Sequence, residues 1–166
     1  LLIKNKIKID IKKYNQHSID LRYDFYEKII KKGNGMINFI NIHQKGLSYN
    51  LLKNYNLVLW DQIGTGTLDC LVAKIPTIIL WKRIYSNESK AAKKLILDLE
   101  KFGVLHNNHF TFVNEIKKYQ NNPQIWMENE NRIKAISNFC AKYARTSENW
   151  KNIWKKNLKS IYKSND

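Results

Sequence analysis

A parallel, doubly wound α/β sheet with a helical C-terminal extension is the fold class this sequence predicts. Three observations predict it. Short apolar runs suited to strands alternate with stretches whose apolar residues recur at three-to-four spacing. These units follow one another closely, with no internal repeat and no low-complexity linker. One segment, LVLWDQIGTGTLDCLVAKIPTIILW from 57 to 81, shows a whole unit: strand, Gly/Thr loop, helix, strand.

Taken in order, Ile3 to Ile11 alternates Ile with Lys, Asn or Asp, the period-two pattern of a strand. It leads to Lys12, Lys13 and Tyr14, charges at the strand end where open α/β sheets bind ligands. Ser18 is the expected cap of a helix to Lys32, with Ile19, Tyr23, Tyr26 and Ile30 along its apolar side. Gly33-Asn34-Gly35 ends that helix, and Met36 to Ile42 resumes a strand. His43 follows at the edge of the expected site face, and Ser48 caps a short helix carrying Leu51, Leu52 and Tyr55.

The central unit opens with Leu57 to Trp60, too short for a helix and long enough for a buried strand. A helix is expected from Thr67 to Lys74, with Thr65 or Thr67 as N-cap and Leu68, Leu71 and Val72 on its buried side. Pro76 disfavours helical geometry at Ile75, so the helix stops before it. Pro76 to Trp81 is continuously apolar and β-branched, as for a parallel strand covered on both faces.

An amphipathic helix from Asn87 to about Phe102 comes next, with Ala91, Leu95, Ile96 and Leu99 as its stripe and Gly103 as its stop. Val104-Leu105-His106 suits a short edge strand, and Phe110 to Tyr119 another helix. Pro123 begins a helix that turns Trp126, Ile133, Ile136, Phe139, Cys140 and Tyr143 toward a core. Beyond Ser147, Trp150, Ile153, Trp154, Leu158 and Ile161 line one side of a final helix, against Lys151, Lys155, Lys156 and Lys159. Residues 1–122 are thus expected to form an α/β domain, and residues 123–166 C-terminal helices packing on it.

Composition narrows the function. The net charge is +15, but the cations are nearly all lysine and arrive with abundant Asn and Ile, the pattern of an AT-rich coding sequence. No block of five consecutive basic residues occurs, and no basic stretch interleaves aromatics as a nucleic-acid platform would, so no nucleic-acid partner is expected. Cys70 and Cys140 fall on apolar helical faces and read as buried thiols, not as a disulfide or metal pair. His106 and His109 lack a carboxylate or cysteine partner at metal spacing, so no metal site is expected. With no transmembrane run and no signal peptide in view, a cytoplasmic location is the default. The chain opens on Leu-Leu and runs straight into a strand pattern, which reads as a fragment lacking an N-terminal half.

The chemistry concentrates in Asp61 to Asp69. Glycine and threonine at a helix N-terminus present free N–H groups and the positive end of the macrodipole, a combination suited to phosphate oxygens. Gly64 and Gly66 permit positive φ and close approach of a ligand, and Thr65 and Thr67 keep the loop small. Asp69, expected in the first helical turn, is an acceptor-only carboxylate suited to the two hydroxyls of a ribose. Trp81 and Lys82, at the end of the next strand, are candidates to line the pocket, as is His43.

Gly64-Thr65-Gly66-Thr67-Leu68-Asp69, followed seven residues later by Pro76 and a β-branched run, resembles the donor-binding signature of GT-B glycosyltransferases. The lipid A disaccharide synthase family has a similar G-T-x-T-L-E segment. A family of bacterial surface-carbohydrate transferases related to O-antigen biosynthesis is more similar still. Its pattern runs from R-x-Y through T-x-x-L-E-x-L and P-T-I to a tryptophan-rich C-terminal helix pair. Here the matching residues are Lys12-Lys13-Tyr14, Thr65 to Asp69, Pro76-Thr77-Ile78, and Trp126, Trp150 and Trp154. Asp69 replaces the usual Glu, and Lys12 stands where that family tends to have Arg, exchanging a bidentate fork for a point charge.

The resemblance implies the C-terminal half of a GT-B fold, a Rossmann-like domain without a cofactor, that takes a nucleotide-sugar as substrate. It implies a diphosphate held by Gly64 to Thr67 and by Lys12 or Lys13, and a ribose held by Asp69. It also implies a glycan or lipid-linked acceptor, and a missing N-terminal domain that supplies the catalytic base. The final helix would cross back to that domain; its composition equally fits a membrane surface, with peripheral contact at the inner membrane. Three other readings stand beside this one. CDP-polyol phosphotransferases use a similar unit with Asp at the Asp69 position, but with paired serines in place of this Gly and Thr. A nucleotide-sugar epimerase of the same fold would need acidic catalytic residues that the sequence does not place. In the third reading the fragment is a non-catalytic binding or membrane-docking domain.

Overall fold

The computed structural model describes residues 1–12, 23–40, 49–82, 88–145 and 147–163. The expected caps Ser18 and Ser48 lie outside them. Two parallel ladders form. In one, β1 (Ile9–Lys12) pairs with β2 (Ile37–Ile40), with Ile9 opposite Ile37. In the other the order is β3 (Val58–Trp60), β4 (Thr77–Leu80), β5 (Leu105–His106), so β4 is central and β5 is an edge. The expected single doubly wound sheet therefore resolves into two small parallel sheets among the described residues. A hydrogen bond from Tyr55 Oη to Asp10 Oδ2, 2.8 Å long, ties β1 to the segment leading into β3.

The helices are α1 (Tyr23–Gly33), α2 (Tyr49–Leu52), α3 (Thr65–Val72), α4 (Lys90–Lys101), α5 (His109–Tyr119), α6 (Pro123–Glu128), α7 (Glu130–Tyr143) and α8 (Trp150–Lys163). Side-chain alternation along β4 decides how they layer. Ile78 and Ile79, both fully buried, point to opposite faces, as successive strand residues must. Ile78 joins Ile7 and, from α5, Phe112, Val113 and Ile116. Ile79 joins Leu71 of α3, Ile96 and Leu99 of α4, Trp126 of α6, and Ala135, Ile136 and Phe139 of α7. Both faces of the three-stranded sheet are thus covered, which explains why β4 is apolar without alternation.

Several local expectations shift. The alternating N-terminus begins as a 3-10 turn, Ile3–Asn5, because Lys6 takes a left-handed conformation and the Ile7 amide bonds back to Leu2 O; extended pairing starts only at Ile9. On α1, Ile30, expected on the apolar side, is exposed at 48%, while Tyr26 and Ile29 are half-buried. On α4, capped by Ser89 Oγ accepting from the Ala92 amide, it is Ala92 and not Ala91 that packs on the core. The single helix expected from Pro123 is two: Asn129 leaves helical geometry (φ −76°, ψ 101°) and its side chain caps α7 by accepting from the Arg132 amide. Gly103 does end α4, at φ +72°.

Arg132 and Glu115, 3% and 6% exposed, form a buried polar node behind β5. Arg132 Nη2 meets Glu115 Oε1 at 2.6 Å, Nε donates to Phe102 O at 2.8 Å and Nη1 to Trp126 O at 3.0 Å. The guanidinium lies between the rings of Tyr119 and Trp126, 4.9 and 5.0 Å from their centroids. One side chain therefore joins the end of α4, α5, α6 and α7. Gly103 is required beside it, since a Cβ there would come within 2.5 Å of Glu115 Oε1.

Candidate functional site

The loop after β3 leaves the sheet at the C-terminal end of the strand, the side on which open parallel sheets bind ligands. Asp61 and Gln62 are exposed, Ile63 packs against the core, and Gly64 is extended at φ −142°, ψ −175°. Helix α3 then starts at Thr65, earlier than its apolar periodicity suggests, with Gly64 as N-cap. Neither Gly64 nor Gly66 has positive φ, so left-handed geometry is not what these glycines supply. A Cβ built at Gly64 would meet nothing within 4 Å, so the space beside the loop is open.

A glycine cap has no side-chain acceptor to offer the first turn, and α3 has no side-chain cap bond. Among the described residues no acceptor is assigned to the amides of Thr65, Gly66 and Thr67. Thr67 is completely buried and works inward: its Oγ1 donates to Gln62 O at 2.9 Å and accepts from the Gly64 amide at 3.3 Å. Its hydroxyl holds the loop closed and is not presented to solvent, whereas Thr65 is exposed.

Asp69 is exposed but sits in the second turn of α3, not the first, because the helix begins two residues before the expected start. Beneath the loop, Cys70 is fully buried, and burial pushes its thiol up, which makes it a poor nucleophile. Trp81 is half-buried and packs on the core face shared by Ile79, while Lys82, next in the chain, is exposed. Lys12 ends β1 in the other ladder, half-buried. Lys13 and His43 lie outside the described residues.

Two depressions lie elsewhere among the described residues, beside edge strand β5. One of about 460 Å³ is bounded by Gly103, His106, Glu115, Lys118, Tyr119 and Arg132. Its chemistry is structural. Arg132 and Glu115 are engaged as described, and His106 Nε2 faces Gly103 O at 3.3 Å while Nδ1 faces Thr111 Oγ1 at 3.2 Å. Burial pulls the His106 imidazole below its usual range; in a neutral ring with Nε2–H donating to Gly103 O, Nδ1 competes for the Thr111 hydroxyl proton with Asn108 O, 2.9 Å from Thr111 Oγ1. Periodicity and spacing do not reveal this cluster. The available signal is that Arg132 is one of four arginines in a chain whose cations are otherwise lysine, at a place where planar, multidentate bonding is needed. No group of three or more His, Cys, Asp or Glu placed to hold a metal occurs among the described residues.

Small parallel sheets with helices packed on them, and a glycine-threonine loop opening a helix after β3, make this an α/β protein whose parallel strands fit a Rossmann-like arrangement. Sequence comparison places it further: the chain belongs to the LIC12162 family of transferases, whose model matches residues 6–158, from before β1 into α8. No curated protein and no solved structure matched the chain.

Proposed function

We propose that this transferase chain binds the donor in a glycosyl transfer, as the donor half of a GT-B enzyme in bacterial surface-polysaccharide or lipopolysaccharide synthesis. The observation that carries the reading is the uncapped start of α3, three amides without an assigned protein acceptor, at the C-terminal end of a strand in a doubly covered parallel sheet. A diphosphate at Thr65, Gly66 and Thr67 would gain those N–H groups and the helix dipole. The space beside Gly64 is open. Asp69 lies two to four residues beyond those amides, about 3–6 Å along the helix axis at about 1.5 Å per residue, which suits a ribose following the diphosphate. Lys12, at the end of the other ladder, or Lys13 would neutralise charge on the diphosphate. The acceptor hydroxyl, giving its proton to a base supplied by the N-terminal half of the enzyme, attacks the anomeric carbon, the bond from that carbon to the phosphate oxygen breaks, and the diphosphate leaves with its charge stabilised by the amides.

Calorimetric titration with UDP, CDP, GDP and dTDP tests this on the 166-residue chain, on Asp69→Ala and on Gly66→Trp. One diphosphate binding in the micromolar range, weakened in Asp69→Ala and abolished in Gly66→Trp, is the expected outcome. CDP as sole ligand would point to polyol phosphate transfer instead. A folded protein that binds none of the four defeats the donor reading.

A further inference from the structure

We propose that α8 docks the protein on an anionic lipid surface. The helix Trp150–Lys163 holds five lysines and no acidic residue. Wound at 3.6 residues per turn, Trp150, Ile153, Trp154 and Leu158 share one sector, and Lys155, Lys156 and Lys159 occupy the opposite one. Trp150, Trp154 and Leu158 are 55%, 61% and 56% exposed, and α8 has no extended packing on another described element. Lys151 Nζ sits 5.7 Å from the Trp150 ring centroid, so the border of the apolar stripe already pairs an indole with a cation.

Charge distinguishes a lipid surface from a protein partner. A helix packed on another domain buries its apolar stripe and leaves its polar side in water, where nothing calls for a single sign of charge. A helix lying in an interface meets anionic headgroups along the whole polar flank, and each lysine there is favourable. Tryptophan suits the headgroup level, and lysine stems reach past apolar surface to keep their ammonium groups among the phosphates. No helix of the protein is long and apolar enough among the described residues to cross a bilayer, so the attachment is to one leaflet. This proposal does not rest on the donor site.

Co-sedimentation of the 166-residue chain with phosphatidylcholine vesicles, with and without phosphatidylglycerol, tests it. Binding is expected to the anionic vesicles only, to fall at high salt, and to weaken on the order of a hundredfold when Lys151, Lys155, Lys156 and Lys159 are all replaced by Gln. Trp150→Ala with Trp154→Ala should weaken it at least about tenfold and reduce quenching of tryptophan emission by brominated lipid. Far-UV circular dichroism and melting confirm that both variants fold, as expected for changes confined to an exposed helix. Equal binding to neutral vesicles, unchanged binding in either variant, or absence of binding to the anionic vesicles, whether or not α8 drives self-association, would each overturn the proposal.

Discussion

Replacing Arg132 by alanine should cost this protein about 3–5 kcal/mol, the range for removing one partner of a buried ion pair. The structure sets the upper part of that range. Glu115, 6% exposed, would keep only Lys118, whose side chain is 62% exposed and whose 3.0 Å contact is weakened by solvent. The carbonyls of Phe102 and Trp126 would each lose a donor now at 2.8 and 3.0 Å. Water can reach part of the vacated space through the adjoining depression, which keeps the loss from being the sum of all three contacts. Against a typical total of about 5–15 kcal/mol, such a loss is large. Urea unfolding followed by circular dichroism and tryptophan fluorescence measures it. Glu115→Gln should cost less, about 1–3 kcal/mol, because the amide still accepts from the guanidinium. The double variant should cost less than the two singles together by at least about 1 kcal/mol, since the charge stranded by either change is then gone. A loss under about 1 kcal/mol for Arg132→Ala at unchanged m-value, or additivity within about 0.5 kcal/mol, would refute the node.

Two further outcomes follow from the same region. Gly103→Ala puts a Cβ at φ +72° and 2.5 Å from Glu115 Oε1, so it should destabilise by about 2 kcal/mol or more and lower Tm by roughly 4–8 °C; melting within a degree of the parent chain would show that Glu115 moves aside freely. His106 is held neutral by burial, so its folded pKa lies below the unfolded value of about 6.5 and the unfolded chain takes up the extra proton. Its contribution to stability is therefore complete above that pH and is lost as pH falls toward the folded pKa. Comparing the pH dependence of unfolding in the parent and His106→Gln isolates it; identical slopes below pH ~6.5 would show that His106 is not the group responsible.

The sequence by itself determined the elements whose causes are local. The strand, Gly/Thr loop, helix and strand of the central unit were legible because a continuously apolar β-branched run, a three-to-four periodicity and a proline act within a few residues. Gly103 was legible as a stop because the end of α4 needs a left-handed residue there. Tertiary structure decided what depends on partners distant in sequence. The start of α3 moved to Thr65 because Thr67 turned inward to Gln62 O, and that displaced Asp69 into the second turn. Asn129 broke one helix into two because the break lets α7 bring Arg132 beneath the Phe102 carbonyl, while α6 carries Trp126 against the guanidinium. The division into two ladders likewise follows from which backbones approach closely enough to pair. Arg132 and Glu115, seventeen positions apart, read as ordinary charges on separate helices; only folding removes both from water, and it is desolvation that makes their pairing matter.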